Sequence, residues 1–223
     1  MNEKMNVRQT VCLSLALIAN AMLVLMEVRA FSLLDLSSMT ALDLFKFYTN
    51  DSNIFTGITS AVFCLFAIAS LISGKYLIPK WMQIIRLISA VCLYITFIVC
   101  ASVLMPAYAG GNFSLDLFMG PLFYLHFMCP VVSVLSYILF EGQIKNRIFV
   151  YSIIGIIPTW VYTAILVVLN FKGIVYGPYP FLEVTTNPPL VSLLWAVTLL
   201  PGGYLVSLCG TALQNLFGRL QRM

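Results

Sequence analysis

Residues 83–106 read QIIRLISAVCLYITFIVCASVLMP, and this stretch decides the class of the fold. Arg86 is its single charged side chain. A membrane-spanning helix needs about 20 mostly apolar residues, so the stretch is long enough to cross a bilayer. A helix is expected because a bilayer offers the backbone no hydrogen-bond partners. A transmembrane β-barrel would instead show alternating segments of about ten residues, and the sequence lacks that pattern.

The same apolar character extends over the whole chain of 223 residues. Hydrophobic residues make up 61% of it and charged residues 9%, whereas about 25% of a soluble domain is charged. These proportions exclude a soluble globular protein and a disordered one. A net charge of +4 without a basic run argues against a nucleic-acid partner. The sequence therefore predicts an all-α membrane protein, a single domain over residues 1–223, with six spans near residues 9–28, 44–73, 83–106, 117–140, 148–170 and 189–217.

Lysine and arginine are distributed unevenly between the two sides of the predicted bundle. Three of them, Arg29, Lys46 and Lys172, lie on the side away from the chain termini. Because cytoplasmic loops are enriched in Lys and Arg, we expect both termini to lie in the cytoplasm. The basic residues on the side of the termini are Lys4, Arg8, Lys75, Lys80, Arg86, Lys145, Arg147, Arg219 and Arg222.

The second span carries the most unusual polarity. Thr49, Asn53, Thr56 and Ser60 follow one another at helical spacing, so they share one face. Such a stripe is unfavourable against lipid and must face other helices or a wet cavity. Hydrogen bonding between helices is one explanation, and a functional site at the dense Thr49–Asn53 cluster is the other.

The fourth span contains the only histidine of the chain, His126, with Pro130 four residues later. Proline has no N–H, so the carbonyl of His126 loses its intrahelical donor and we expect a kink there. Ser133 and Tyr137 continue the same face. The histidine either makes a structural hydrogen bond or belongs to a site. A haem or a metal would need further ligands that the sequence does not supply.

A hydroxyl and an imidazole form a minimal nucleophile and base pair. Both spans are predicted to enter from the outside, and the depths of Thr49 and His126 match if the second span tilts or begins a turn earlier. The predicted catalytic residues are therefore Thr49 and His126. Asn50, Asn53 and Tyr48 are candidate donors to an oxyanion, and Asp51 is a candidate to orient the imidazole.

Aromatic and proline residues supply the remaining candidates. Phe127, Pro130, Ser133 and Tyr162 are predicted to line the substrate pocket, and Phe47, Phe55 and Phe123 to help hold an acyl chain. The outer loop 176–183, YGPYPFLE, fits either a rigid interfacial turn or a lid over the mouth of a cavity.

Four segments, in order along the chain, carry a resemblance to a known family. With them the chain resembles the androgen-induced/androgen-dependent group of six-span membrane proteins and its bacterial relatives. The resemblance implies a membrane hydrolase with a threonine nucleophile and a histidine, which fall here at Thr49 and His126. It also implies a fatty acid ester of a hydroxy fatty acid, or a related ester, as substrate, and location in a bacterial plasma membrane. The segments are residues 48–53 (YTNDSN), 125–130 (LHFMCP), 155–162 (GIIPTWVY) and 177–182 (GPYPFL).

The sequence thus predicts an intramembrane hydrolase, or acyl transferase, acting on a long-chain acyl ester of a membrane lipid without metal or cofactor. The alternatives are a transporter, a lipid-binding protein and a purely structural subunit whose polar groups only bind helices together. One histidine and few intramembrane charges argue against a proton-coupled pump.

Overall fold

Within residues 4–35, 37, 39–108, 119–141 and 147–220, which the computed structural model describes, the protein is helical and has no strand. Six helices are long and apolar enough to cross a membrane. This confirms the predicted six-helix bundle and is the architecture of a multi-pass integral membrane protein. The helices are α1 (Val7–Ser32), α2 (Ala41–Phe45), α3 (Tyr48–Ser73), α4 (Lys80–Ala107), α5 (Gly120–Leu139), α6 (Ile148–Phe171) and α7 (Pro189–Leu220).

The predicted second span, 44–73, is divided in the structure into α2 and α3. Thr40 and Asp43 form a reciprocal capping box, so the short α2 has its own start. Phe47 is extended and caps the new helix that begins at Tyr48. The division places Thr49 in the first turn of α3, where main-chain N–H groups have no intrahelical acceptor. The predicted start of the fourth span at residue 117 lies outside the described residues, and α5 is described from Gly120.

The central helix of the bundle is α4. Of its apolar stretch 56% is buried, compared with 6% for α7. It packs against α3, α5, α6 and α7, while α1 packs against α3 and α5. The long helices therefore alternate in direction around α4. We call the end where α3 begins the Thr49 end, and the opposite end, where Met5 N–H donates to the Gly74 carbonyl at 2.9 Å, the N-terminal end.

Gly155 allows α6 to approach α4 and α7 closely. A Cβ atom at this position would lie 2.7 Å from Ser207 Oγ and 3.1 Å from Val91 Cγ2. The same Ser207 hydroxyl donates to the Ser152 carbonyl at 2.7 Å. The glycine of the GIIPTWVY segment thus sets the spacing of the three helices that surround the cavity described below.

A buried ion pair lies near the N-terminal end. Arg86 donates from Nε and Nη2 to the two carboxylate oxygens of Glu141, both at 2.8 Å. Arg86 is 0% exposed and Glu141 4%. Further hydrogen bonds link the pair to α1, α3, α4 and α5 through the side chains of Asn20, Ser60, Ser89 and Ser136. Arg86, which the charge count assigned to the flank of the bundle, is therefore in its interior.

Candidate active site

Thr49 and His126 are in contact. The hydroxyl Oγ1 of Thr49 lies 3.1 Å from Nε2 of the imidazole, which is within hydrogen-bond distance. Thr49 is 7% exposed and His126 6%. Sequence alone left this meeting conditional on a tilt or an earlier start of the second span; the helix that carries Thr49 begins later instead, at Tyr48, and the two side chains still meet. The pair has the distance that a nucleophile and a general base require.

The imidazole is carried by an irregular turn of α5. Tyr124–Met128 form a π-helical turn, and the regular helix resumes at Cys129. Pro130 follows directly, and its missing N–H explains why regular α-helical bonding is interrupted on its N-terminal side. Single π-helical turns are frequent at functional sites. Residues 124–128 therefore form a turn that is wider than a turn of α-helix.

Asn53 joins Thr49 to the helix that carries His126. Its Nδ2 donates to the Thr49 carbonyl at 2.7 Å and to the Leu125 carbonyl at 3.1 Å. Asn53 is 0% exposed. One amide hydrogen therefore bonds within α3, and the other holds α3 against the π-helical turn. Asn53 is placed as a positioning residue, and neither hydrogen remains for an oxyanion.

The other predicted donors also have structural partners. Tyr48 Oη lies 2.6 Å from Thr159 Oγ1, which ties α3 to α6. Asn50 Nδ2 donates to the Leu44 carbonyl at 2.9 Å and holds α2 on α3. The Oδ1 atom of Asp51 is buried, and no described residue provides it with a hydrogen-bond partner.

Tyr179 is the neighbour of Thr49 that sequence reasoning did not single out. The main-chain N–H of Thr49 donates to Tyr179 Oη at 3.4 Å. The tyrosine is 8% exposed. Burial raises the pKa of Tyr179 to about 12, so its hydroxyl stays protonated at neutral pH. Its position in the GPYPFL segment was visible in sequence, but its contact with Thr49 was not.

The loop that carries Tyr179, residues 176–184, is here called the strap. Gly177 lies against the backbone of the strap itself, because a Cβ there would be 2.7 Å from Glu183 N. The Asn170 side chain accepts from Val184 N–H at 2.9 Å and fixes the far end of the strap to α6. Tyr179 stacks on Phe181 with ring centroids 5.2 Å apart. The strap is therefore tightly folded over the Thr49 end.

A cavity of about 1070 Å³ extends from Thr49 between α4, α6 and α7. Its lining has a polar group at Thr49 and is largely apolar elsewhere, and no charged residue is among the described residues that line it. Trp160 and Ser192 line it with polar atoms that are buried without a hydrogen-bond partner among the described residues. Four strap residues, Tyr179, Phe181, Leu182 and Val184, close its Thr49 end.

The predicted substrate-pocket residues divide into two groups. Tyr162 lines the cavity, and its hydroxyl donates to the Lys46 carbonyl at 2.6 Å. Phe127, Pro130 and Ser133 are not among the lining residues. Phe127 stacks on Phe123 at 5.6 Å, and Ser133 is 0% exposed. The walls of the cavity are α4, α6 and α7, so these α5 residues are not part of it.

The described residues contain no group of three or more His, Cys, Asp or Glu side chains that could hold a metal ion. No protein-family model matches this chain, and neither a curated protein nor a solved structure does. The function is therefore inferred from the geometry of Thr49, His126 and the cavity.

Proposed function

We propose that the protein is an intramembrane hydrolase of long-chain acyl esters, with Thr49 as nucleophile and His126 as general base. The observation that carries the proposal is the 3.1 Å contact between Thr49 Oγ1 and His126 Nε2 beside a large apolar cavity that Thr49 lines. A hydroxyl whose proton can pass to an adjacent imidazole is an activated nucleophile. The residues of the resemblance, Thr49 and His126, are the same pair.

The reaction balances with these two side chains and water. His126 takes the Thr49 proton while Oγ1 bonds to the ester carbonyl carbon. The tetrahedral intermediate collapses by breaking the bond to the alkoxide, which leaves with the proton from His126. Water then attacks the acyl-threonine with His126 again as base, and it releases the fatty acid and restores the Thr49 hydroxyl. An alcohol in place of water would give acyl transfer.

The cavity fits the acyl part of such a substrate. It extends along α7 from Ser192 to Val206, which at about 1.5 Å per residue is roughly 20 Å. Its apolar walls suit an extended hydrocarbon chain. The ester carbonyl would lie at Thr49, where the cavity meets the strap.

The topology is part of the same proposal. The N-terminal end carries Lys4, Lys75 and Lys80 and is proposed to face the cytoplasm, in accordance with the distribution of Lys and Arg. Thr49 and the strap then lie toward the outer face of a bacterial plasma membrane, and the acyl chain enters from the lipid.

Covalent labelling tests the nucleophile. The purified protein in detergent is treated with a long-chain alkyl fluorophosphonate, which phosphorylates activated hydroxyl groups, and the modified residue is mapped by mass spectrometry. We expect labelling at Thr49, loss of labelling in Thr49→Val, and much slower labelling in His126→Ala because the base is missing.

Thr211→Val is the matched control, since it also removes a buried threonine hydroxyl, one that donates to the Ser207 carbonyl at 2.8 Å. It should be labelled at the wild-type rate. Wild-type protein that binds the acyl chain but is never modified at Thr49 would contradict the hydrolase and favour a lipid-binding protein or transporter.

The cavity predicts a chain-length effect at Gly202. This residue lines the cavity, and a Cβ built on it meets no atom within 4 Å. Gly202→Leu should fill part of the acyl channel. We expect kcat/KM for p-nitrophenyl palmitate to fall roughly tenfold, in the range that a few methylenes contribute in a pocket, with little change for p-nitrophenyl butyrate.

Ala212→Leu adds the same side chain to an exposed position of α7 outside the cavity lining. It should leave the ratio of the two rates unchanged. An equal loss for both esters in Gly202→Leu would show that this cavity does not hold the acyl chain.

A further inference from the structure

We propose that Tyr179 is a catalytic residue: its hydroxyl and the main-chain N–H of Thr49 together form the oxyanion hole of the reaction. The inference rests on the proposed hydrolase function. It assigns the stabilisation of the transition state to a loop residue that follows Thr49 by 130 positions in the chain.

The Tyr179 hydroxyl lies where a donor to the oxyanion must lie. An oxyanion forms on the oxygen of the carbon that Thr49 Oγ1 attacks, so its donors must lie next to Oγ1. Tyr179 Oη is 3.4 Å from the Thr49 nitrogen and is also adjacent to the Thr49 side chain. Tyr179 and Thr49 both line the cavity in which the ester would lie. The two donors therefore approach the reacting carbon from the side of the substrate.

The resting hydrogen bond between Thr49 and Tyr179 can be exchanged for bonds to an oxyanion. In the resting structure the Thr49 N–H donates to Tyr179 Oη, so the tyrosine oxygen is the acceptor of that bond, and the same hydroxyl also lies within hydrogen-bonding reach of the Thr49 side chain. A bond of 3.4 Å is long and is easily exchanged for a charged acceptor. When the oxyanion forms, both the N–H and the O–H can turn to it.

The N-terminal end of α3 supplies the other donor, the main-chain N–H of Thr49. Thr49 lies in the first turn of α3, after the extended residue Phe47. The N–H groups of a first turn have no intrahelical acceptors, and the helix dipole favours negative charge at this end. The nucleophile thus carries its own amide donor at the place where negative charge develops.

The strap holds Tyr179 in a fixed position. Oxyanion donors act strongly because they are held in place before the reaction. The ring of Tyr179 stacks on Phe181 and meets the edge of Phe47 with centroids 6.3 Å apart. The Tyr179 carbonyl accepts from Leu182 N–H at 2.9 Å. The strap therefore fixes both the backbone and the ring of the donor.

The alternatives within the site are already used. Asn53 donates both amide hydrogens to the Thr49 and Leu125 carbonyls, and Tyr48 pairs with Thr159. Of the tyrosines that line the described part of the cavity, Tyr179 is the one whose hydroxyl contacts Thr49.

Tyr179→Phe tests the proposal, because the variant keeps the ring and its stacking on Phe181 and removes only the hydroxyl. With p-nitrophenyl palmitate we expect kcat to fall about 10²–10³-fold, as for other lost oxyanion donors, with KM little changed. Affinity for a long-chain alkyl boronic acid, which forms a tetrahedral adduct with the nucleophile, should fall as well. Affinity for the unreactive fatty alcohol of the same length should stay the same.

Tyr76→Phe is the control. It also loses one tyrosine hydroxyl that is hydrogen-bonded to the main chain, here by donation to the Glu141 carbonyl at 3.4 Å, but at the N-terminal end, and it should retain wild-type kcat. A kcat within a fewfold of wild type in Tyr179→Phe, or a rise in KM alone, would overturn the catalytic role while the hydrolase proposal stands if Thr49 is still labelled. A wild-type protein that neither cleaves the ester nor reacts at Thr49 would overturn both.

A second measurement uses the wild-type protein and does not depend on the folding of the variant. Sulfur is a weaker hydrogen-bond acceptor than oxygen, so hydroxyl and amide donors should make the thionoester of the same acyl chain a much poorer substrate than the oxoester. Equal rates for both would contradict an oxyanion hole built from these groups.

Discussion

Removing the imidazole of His126 is expected to lower kcat for p-nitrophenyl palmitate by about 10²–10⁴-fold, the usual contribution of a general base. Thr49→Val should abolish turnover, because it removes the proposed nucleophile, the hydroxyl that lies 3.1 Å from His126 Nε2. KM should change little in His126→Ala, because the imidazole is not among the residues that line the cavity. Steady-state kinetics in detergent micelles measure both quantities.

The double variant tests whether Thr49 and His126 act together. If Thr49 and His126 act as a unit, the combination of Thr49→Val and His126→Ala should be no less active than Thr49→Val alone, because residues of one catalytic unit are strongly non-additive. Thr211→Val provides the control for the loss of a buried threonine hydroxyl and should keep full activity. Independent, multiplicative losses at the two sites would contradict the pairing of nucleophile and base.

Local sequence was enough to predict the number of helices, the polar face of the second span and the irregular part of the fourth. Bilayer thickness fixes the length of an apolar helix, so six helices could be counted from hydropathy. Helical periodicity placed Thr49 and Asn53 on one face, and Pro130 marked the irregular part of the fourth span. Thr49 and His126 could be paired because each is an unusual polar group at the same end of its helix.

The remaining features depend on contacts that sequence pattern does not encode. Tyr179 reaches Thr49 only because the strap folds back over the Thr49 end. The cavity has α4, α6 and α7 as walls, and the order of helices around a bundle is not given by periodicity. For the same reason Asn53, a plausible oxyanion donor by spacing, donates instead to the Thr49 carbonyl of its own helix and to the Leu125 carbonyl of α5. The position of Arg86 was misjudged too: the charge count placed it at the flank of the bundle, but its side chain is buried.

The buried pair of Arg86 and Glu141 leads to the largest expected effect on stability. Glu141→Gln should lower the free energy of unfolding by about 3–5 kcal/mol, because it leaves the Arg86 charge buried without its counter-charge. The glutamine carbonyl can still accept from Asn20 and Ser136 as the carboxylate oxygen does at 2.9 and 2.7 Å, but the amide NH2 cannot accept from Arg86 Nε, so one hydrogen bond is lost together with the charge. Thermal unfolding in detergent, with the same protein-to-detergent ratio for each variant, measures the loss as a lower Tm.

Asp43→Asn is the comparison for Glu141→Gln, because it also removes one carboxylate from an ion pair, the one with Lys46 at 3.0 Å. That pair is partly exposed, and exposed pairs contribute little to stability, so its Tm should stay close to wild type. Replacing both partners, Arg86→Met with Glu141→Leu, should restore part of the stability lost in Glu141→Gln, since no charge is then left in the interior. The recovery should be incomplete because Asn20 and Ser136 lose their acceptor, and Ser60 and Ser89 lose the Arg86 donor. A double variant less stable than Glu141→Gln would instead mean that this hydrogen-bond network, rather than the balance of charge, holds α1, α3, α4 and α5 together at the N-terminal end.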